Sequence, residues 1–144
     1  MRILLTPPAG RDEVDAAALA LGWSLANVYP RRDGRPRQVV YATGEALITF
    51  VDDHRVDARY LVLSGHDPDA LADAARETLP TLSEAAVLEL AATDRVRALC
   101  WLGVVGATSP AATRVIEEAL ESDEAPVREA ARFAAEALGW EGAS

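Results

Sequence analysis

Asp123-Glu124-Ala125-Pro126-Val127-Arg128-Glu129-Ala130-Ala131 repeats an earlier pattern, Asp94-Arg95-Val96-Arg97-Ala98-Leu99. Each is an acidic turn and a Val-Arg pair that open an apolar helical run, and the two Val-Arg pairs lie 31 residues apart. Self-similarity at such a period marks stacked pairs of helices. Between the two copies, Ser109-Pro110 is a helix-start signal, with a hydroxyl to cap the first turn and a proline where its missing N–H costs nothing. Ala112, Val115, Ile116, Ala119 and Leu120 follow at the i, i+3, i+4, i+7, i+8 spacing of one buried helix face. The sequence thus predicts helices over 83–92, 95–107, 110–121 and 126–139, paired in order as two hairpins.

Working back toward the amino terminus, Pro80 breaks the preceding helix, and before it the composition changes to strand formers. Residues 2–6 predict a first strand stopped at Pro7-Pro8. A helix follows from Asp12, where Val14, Ala17, Ala18 and Leu21 recur at helical spacing, and Gly22 is placed to end it. From Trp23 to Tyr29 the period shifts to alternation, with Trp23, Leu25 and Tyr29 expected on one face, running into an Asp33-Gly34 hairpin turn. Returning strands are predicted over 38–43, 46–52 and 58–64, an antiparallel meander. Leu61 and Leu63 alternate with Tyr60 and Val62, so both faces of this sheet are apolar and each needs cover. Asp67-Pro68 then caps a helix to about Leu79.

The run from Asp123 to Gly139 resembles the second half of a HEAT repeat: acidic turn, Val-Arg, an Ala-rich helix, then Ala137-Leu138-Gly139. Asp94 to Ala107 resembles it more loosely, with Cys100, Trp101 and two valines where small residues are usual. By that resemblance, Asp94, Arg97, Asp123 and Arg128 are structural residues that tie neighbouring repeats together. It also implies a protein-binding surface on the second helices, at Trp101, Glu129, Arg132 and Glu136. Two repeats are fewer than a solenoid needs to bury its core. The expected fold is therefore α+β: a β-α-β-β-β-β-α unit over residues 1–80 that caps two HEAT-like α-hairpins over residues 81–144, one cooperative structure in two parts.

The chain has 144 residues, half of them hydrophobic, enough for a continuous core. Its 14 arginines stand against 23 acidic residues, giving a net charge of −9, and such a surface repels a phosphate backbone, so no nucleic acid is expected as partner. The absence of lysine reads as a coding bias rather than a functional feature. One cysteine, Cys100, allows no internal disulfide and no multi-cysteine metal site. The apolar run at Ile3 to Leu5 is too short for a signal peptide or a membrane span. A cytoplasmic protein without membrane association is the expectation.

Few residue sets could carry chemistry. Asp52-Asp53-His54 and His66-Asp67 are the metal-type and acid-base ligands, but they would have to converge, and a polar turn plus a helix cap explains them more simply. Cys100 lies within an apolar helix beside Val96, Leu99 and Gly103, where a thiol is inert. Pro7-Pro8-Ala9-Gly10 lacks the spacing and the lysine of a phosphate loop, and Ser64-Gly65-His66 lacks the context of a hydrolase nucleophile. No catalytic residue, metal or cofactor is expected.

Arg31, Arg32, Arg35 and Arg37 surround the Asp33-Gly34 turn as the one basic feature, able to receive an acidic peptide or a phosphate group. Trp23, Tyr29, Tyr41 and Tyr60 read as packing residues. The resulting expectation is a non-enzymatic scaffold that binds another protein, with possible self-association through the sheet. The alternatives are a small acidic regulator, immunity- or antitoxin-like, and a metal-dependent or acid-base enzyme built on Asp52, Asp53 and His54.

Overall fold

A computed structural model describes residues 1–140, which form two compact units, Met1–Leu82 and a second that begins at Ser83. The first is a six-stranded antiparallel sheet. Its strands are β1 (Arg2–Leu5), β2 (Ser24–Tyr29), β3 (Arg37–Thr43), β4 (Ala46–Asp53), β5 (Ala58–Ser64) and β6 (Thr81–Leu82), in the order β2-β3-β4-β5-β1-β6. Helices α1 (Arg11–Leu21) and α2 (Pro68–Thr78) complete it. The α+β class and the meander β2 to β5 follow the sequence reading. The two-residue β6 does not: Pro80 ends the helical pattern, yet Leu4 and Leu5 pair with Leu82 and Thr81, so the sheet extends past residue 80.

Alternation along the strands decides which residues form the core. Ile3, Leu5, Val39, Tyr41, Ile48, Phe50, Leu61 and Leu63 point to one face and bury against Val14, Ala17 and Ala18 of α1 and Ala72 and Ala75 of α2. Both helices thus serve the same face. Small helical side chains let them lie close to the sheet, and each end is fixed locally. Gly22, at φ 77°, ends α1 in the left-handed region that favours glycine, and Asp67 accepts the Ala70 N–H at 3.2 Å to start α2. On the opposite face Leu4, Val51 and Tyr60 are buried, whereas Leu47 is exposed.

β2 departs from its expected pattern. The pairing with β3 shifts between Leu25 and Asn27, a bulge in which one extra residue reverses the alternation that follows. Leu25 pairs with Tyr41 on the helix-covered face, whereas Tyr29 pairs with Gln38 on the other. The expected common face of Trp23, Leu25 and Tyr29 is therefore not formed. Trp23 alone is buried, its ring 6.4 Å from that of Tyr41.

The second unit is four helices: α3 (Glu84–Leu90), α4 (Arg95–Val105), α5 (Pro110–Leu120) and α6 (Ala125–Ala137). Three start on side-chain caps, with Ser83, Asp94 and Ser109 accepting the N–H groups of Ala86, Arg97 and Ala112. They form the expected pairs α3/α4 and α5/α6, with α4 and α6 in the most extensive contact. Gly103 permits that approach, because a Cβ there would stand 2.9 Å from the Cα of Ala134 on α6. α6 meets it with Val127, Ala130, Ala131, Ala134 and Ala135, all buried. The residues of the Asp-Arg pattern make local bonds: Arg97 pairs with Asp94 at 3.5 Å, and Arg128 donates to the Ser122 carbonyl at 2.8 Å. Among the described residues no helix is long and apolar enough to cross a membrane.

Candidate interaction edge

The sheet ends at β2, and every residue of that strand is exposed. Leu25 and Tyr29 retain 57% and 50% of their accessible surface, and Val28 is similarly open. An edge strand presents N–H and C=O groups with no ladder partner. Here one is satisfied within the strand: the Val28 N–H donates to Asn27 Oδ1 at 2.8 Å, and Asn27 Nδ2 donates to the Tyr29 hydroxyl at 2.9 Å.

β2 runs into the hairpin tip that the sequence marks as basic. Asp33 and Gly34 have φ of 40° and 78°, the two positive values of a type I′ turn, which Asp-Gly favours. The turn closes with reciprocal backbone hydrogen bonds between Arg32 and Arg35. Paired across a ribbon, these two arginines project to the same side. With Tyr29, Pro30, Asp33, Pro36 and Gln38 they line an open cleft of about 760 Å³. Arg31 is exposed beside them. Arg37 leaves the cluster: it is half-buried in β3 opposite Asp52 and lines a separate small cleft with Arg11 and Arg59. Pro36 breaks the ladder between the tip and β3, which starts only at Arg37.

The acid-base candidates do not converge. Asp52, Asp53 and His54 lie at one end of the β4–β5 ladder, where Asp53 pairs with Ala58, while His66 and Asp67 follow the other end, where Leu47 pairs with Ser64. Six residues of strand put these ends roughly 20 Å apart. Among the described residues no group of three metal-type ligands comes together.

Asp53 is occupied structurally. It is 2% exposed and accepts from Arg55 Nε at 2.9 Å, from Arg55 Nη2 at 2.8 Å and from the Tyr60 hydroxyl at 2.9 Å. Burial alone would raise its pKa, but the Arg55 and Tyr60 hydrogen bonds outweigh it and hold the carboxyl below its usual range. Burial, reinforced by Asp53, pushes the Tyr60 phenol up to about 12. Tyr41 is raised too, by burial and by its hydrogen bond to Asp15. Arg59 pairs with Asp52 at 3.5 Å and donates to the Pro8 carbonyl at 3.1 Å, which fastens the first loop to the sheet.

On the helical unit, Glu129, Arg132 and Glu136 are exposed as expected, and Phe133 is exposed among them. Trp101 is not: it is 3% exposed, with the Arg97 guanidinium 5.6 Å from its ring centroid. α4 is buried at Ala98, Leu99, Trp101, Leu102, Gly103 and Val104, almost all round, so the helix has no free face on which Trp101 could sit. Tyr29, expected as a packing residue, is the converse case. Cys100 is half-buried, and burial raises its thiol pKa away from the reactive thiolate. The free edge at β2 was the feature the sequence reading missed: Leu25, Val28 and Tyr29 read as an ordinary apolar strand, and Pro30 marks only its end. Set against known proteins, the chain matches no family model, no curated protein and no solved structure, and its function is read from its own residues.

Proposed function

We propose that this chain is a non-enzymatic protein-binding module that engages its partner through the β2 edge of the sheet. The observation that carries the reading is that β2, six residues long and exposed throughout, bears Leu25, Val28 and Tyr29. Monomeric proteins usually shorten, charge or cover such an edge, whereas peptide-recognition domains use it to add a strand. The separation of the acid-base candidates and the engagement of Asp53 by Arg55 and Tyr60 support a function without catalysis. The HEAT-like pattern of the helical pairs supports a scaffold role. In that role the exposed α6 residues Glu129, Arg132 and Glu136 form a second contact surface.

The test is affinity capture from native-host extract with three baits: wild type, the Leu25→Asp/Val28→Asp variant, and the Glu129→Arg/Arg132→Glu variant. We expect wild type to retain a stoichiometric partner that the β2 variant loses and the α6 variant keeps or weakens. Retention of no stoichiometric protein by wild type, or retention indifferent to both variants, overturns the reading.

A further inference from the structure

The arginines at the hairpin tip differ from the five that are ion-paired elsewhere. Arg11, Arg55, Arg59, Arg76 and Arg97 each pair with an aspartate of their own neighbourhood. Among the described residues, no ion pair or side-chain hydrogen bond engages the guanidinium groups of Arg31, Arg32 or Arg35. In a chain with 23 acidic residues to 14 basic ones, carboxylates are not scarce. The I′ turn nevertheless fixes Arg32 directly opposite Arg35, and like charges facing each other across a ribbon repel. An anionic group between them would turn that repulsion into paired, charge-assisted hydrogen bonds.

The surroundings define the kind of anion. The cleft is open, and Tyr29, Pro30, Pro36 and Gln38 line it with rings and an amide beside two arginines and the single carboxylate of Asp33, so the basic groups outnumber the acidic one. These surfaces suit several residues of chain better than a small ion, and the cleft is continuous in sequence with the exposed edge of β2. A polyanion such as nucleic acid would meet the net charge of −9 over the rest of the protein. A short acidic peptide would meet only the basic tip. The Asn27 side chain that satisfies the Val28 N–H can swing away as an incoming strand supplies a carbonyl.

We propose that β2 and the hairpin tip form a docking groove for an acidic segment of a partner protein, which adds to β2 as an extended strand and places carboxylates between Arg32 and Arg35. This rests on the protein-binding reading and names the chemistry of the partner.

The experiment is fluorescence anisotropy on the full chain with a labelled peptide of alternating Glu and Thr. The comparison peptides are a Lys-Thr analogue and a Glu-Thr analogue methylated at alternate backbone nitrogens. Saturable binding of the Glu-Thr peptide is expected, with none of the Lys-Thr peptide. Weakening of about tenfold or more is expected on backbone methylation and with Arg32→Glu/Arg35→Glu. Arg32→Gln/Arg35→Gln should fall between wild type and the reversal, and circular dichroism should show both variants folded, because these side chains are exposed.

Equal binding of the Lys-Thr peptide, indifference to the charge reversal, indifference to backbone methylation, or equally tight binding of a single-stranded oligonucleotide overturns the proposal. If no peptide binds while host-protein capture still depends on Leu25 and Val28, the acidic-segment inference fails and the protein-binding reading stands. If capture fails as well, both fall.

Discussion

Asp53 shows how one residue can look like a site and be a strut. A buried carboxylate is costly unless it is hydrogen-bonded, and Arg55 and Tyr60 meet that need. Its folded pKa lies below the unfolded value, so its contribution is fully present above about pH 4 and is lost as pH falls through the folded pKa. For Tyr60, raised to about 12, the sign is opposite: its contribution holds at ordinary pH and is lost as pH rises through that value. Asp53→Asn should therefore lower stability by about 1–3 kcal/mol at neutral pH. In urea melts the gap from wild type should narrow as pH drops below about 4; a gap independent of pH would mean the carboxylate charge is not what matters. Gly65 is a second single-residue constraint. Its φ is 98°, and a Cβ would lie 2.5 Å from the Glu45 carbonyl oxygen. Gly65→Ala should cost more than about 2 kcal/mol in a thermal melt. Nothing in the sequence marks this constraint at Gly65, because the clash is with a segment twenty residues earlier.

Among the elements, the helices were legible because their signals are local. Caps at Ser83, Asp94 and Ser109 and the stripe Ala112, Ile116, Ala119 sit within a turn or two of what they specify. The packing of α4 on α6 was not legible, since it depends on Gly103 facing Ala134. Gly103→Val should force the helices apart at a cost of about 1–3 kcal/mol, read as a lower denaturation midpoint. Val127→Asp places a carboxylate at a position 3% exposed at the head of the alanine stripe. It should cost several kcal/mol and melt the helical signal in circular dichroism; a melt like that of wild type would refute the buried face of α6. Phe133→Ser, on the exposed side of the same helix, should stay within about 0.5 kcal/mol of wild type.

For the whole molecule, size is the governing quantity. The helical unit Ser83–Ser144 falls below the roughly 70–80 residues at which one core suffices, and alanine dominates the buried face of α6. Expressed alone, residues 83–144 should lack a sharp calorimetric transition, and the full chain should melt in a single one. A fragment with a cooperative melt of its own would show that the four helices need no help.

The sequence by itself determined the α+β class, the four strands of the meander, the paired helices and the Asp-Gly turn, because propensity, period and capping act over a few residues. It also gave the arginines of the tip. Tertiary structure alone decided that β2 is the free edge, that a bulge puts Leu25 and Tyr29 on opposite faces, that Trp101 is enclosed, and that Arg37 stands apart from the other arginines of the tip. The physical reason is the same in each case. Which strand lies outermost, and which face of a helix is covered, depends on contacts between residues distant in the chain, and those contacts leave no mark at the position they govern.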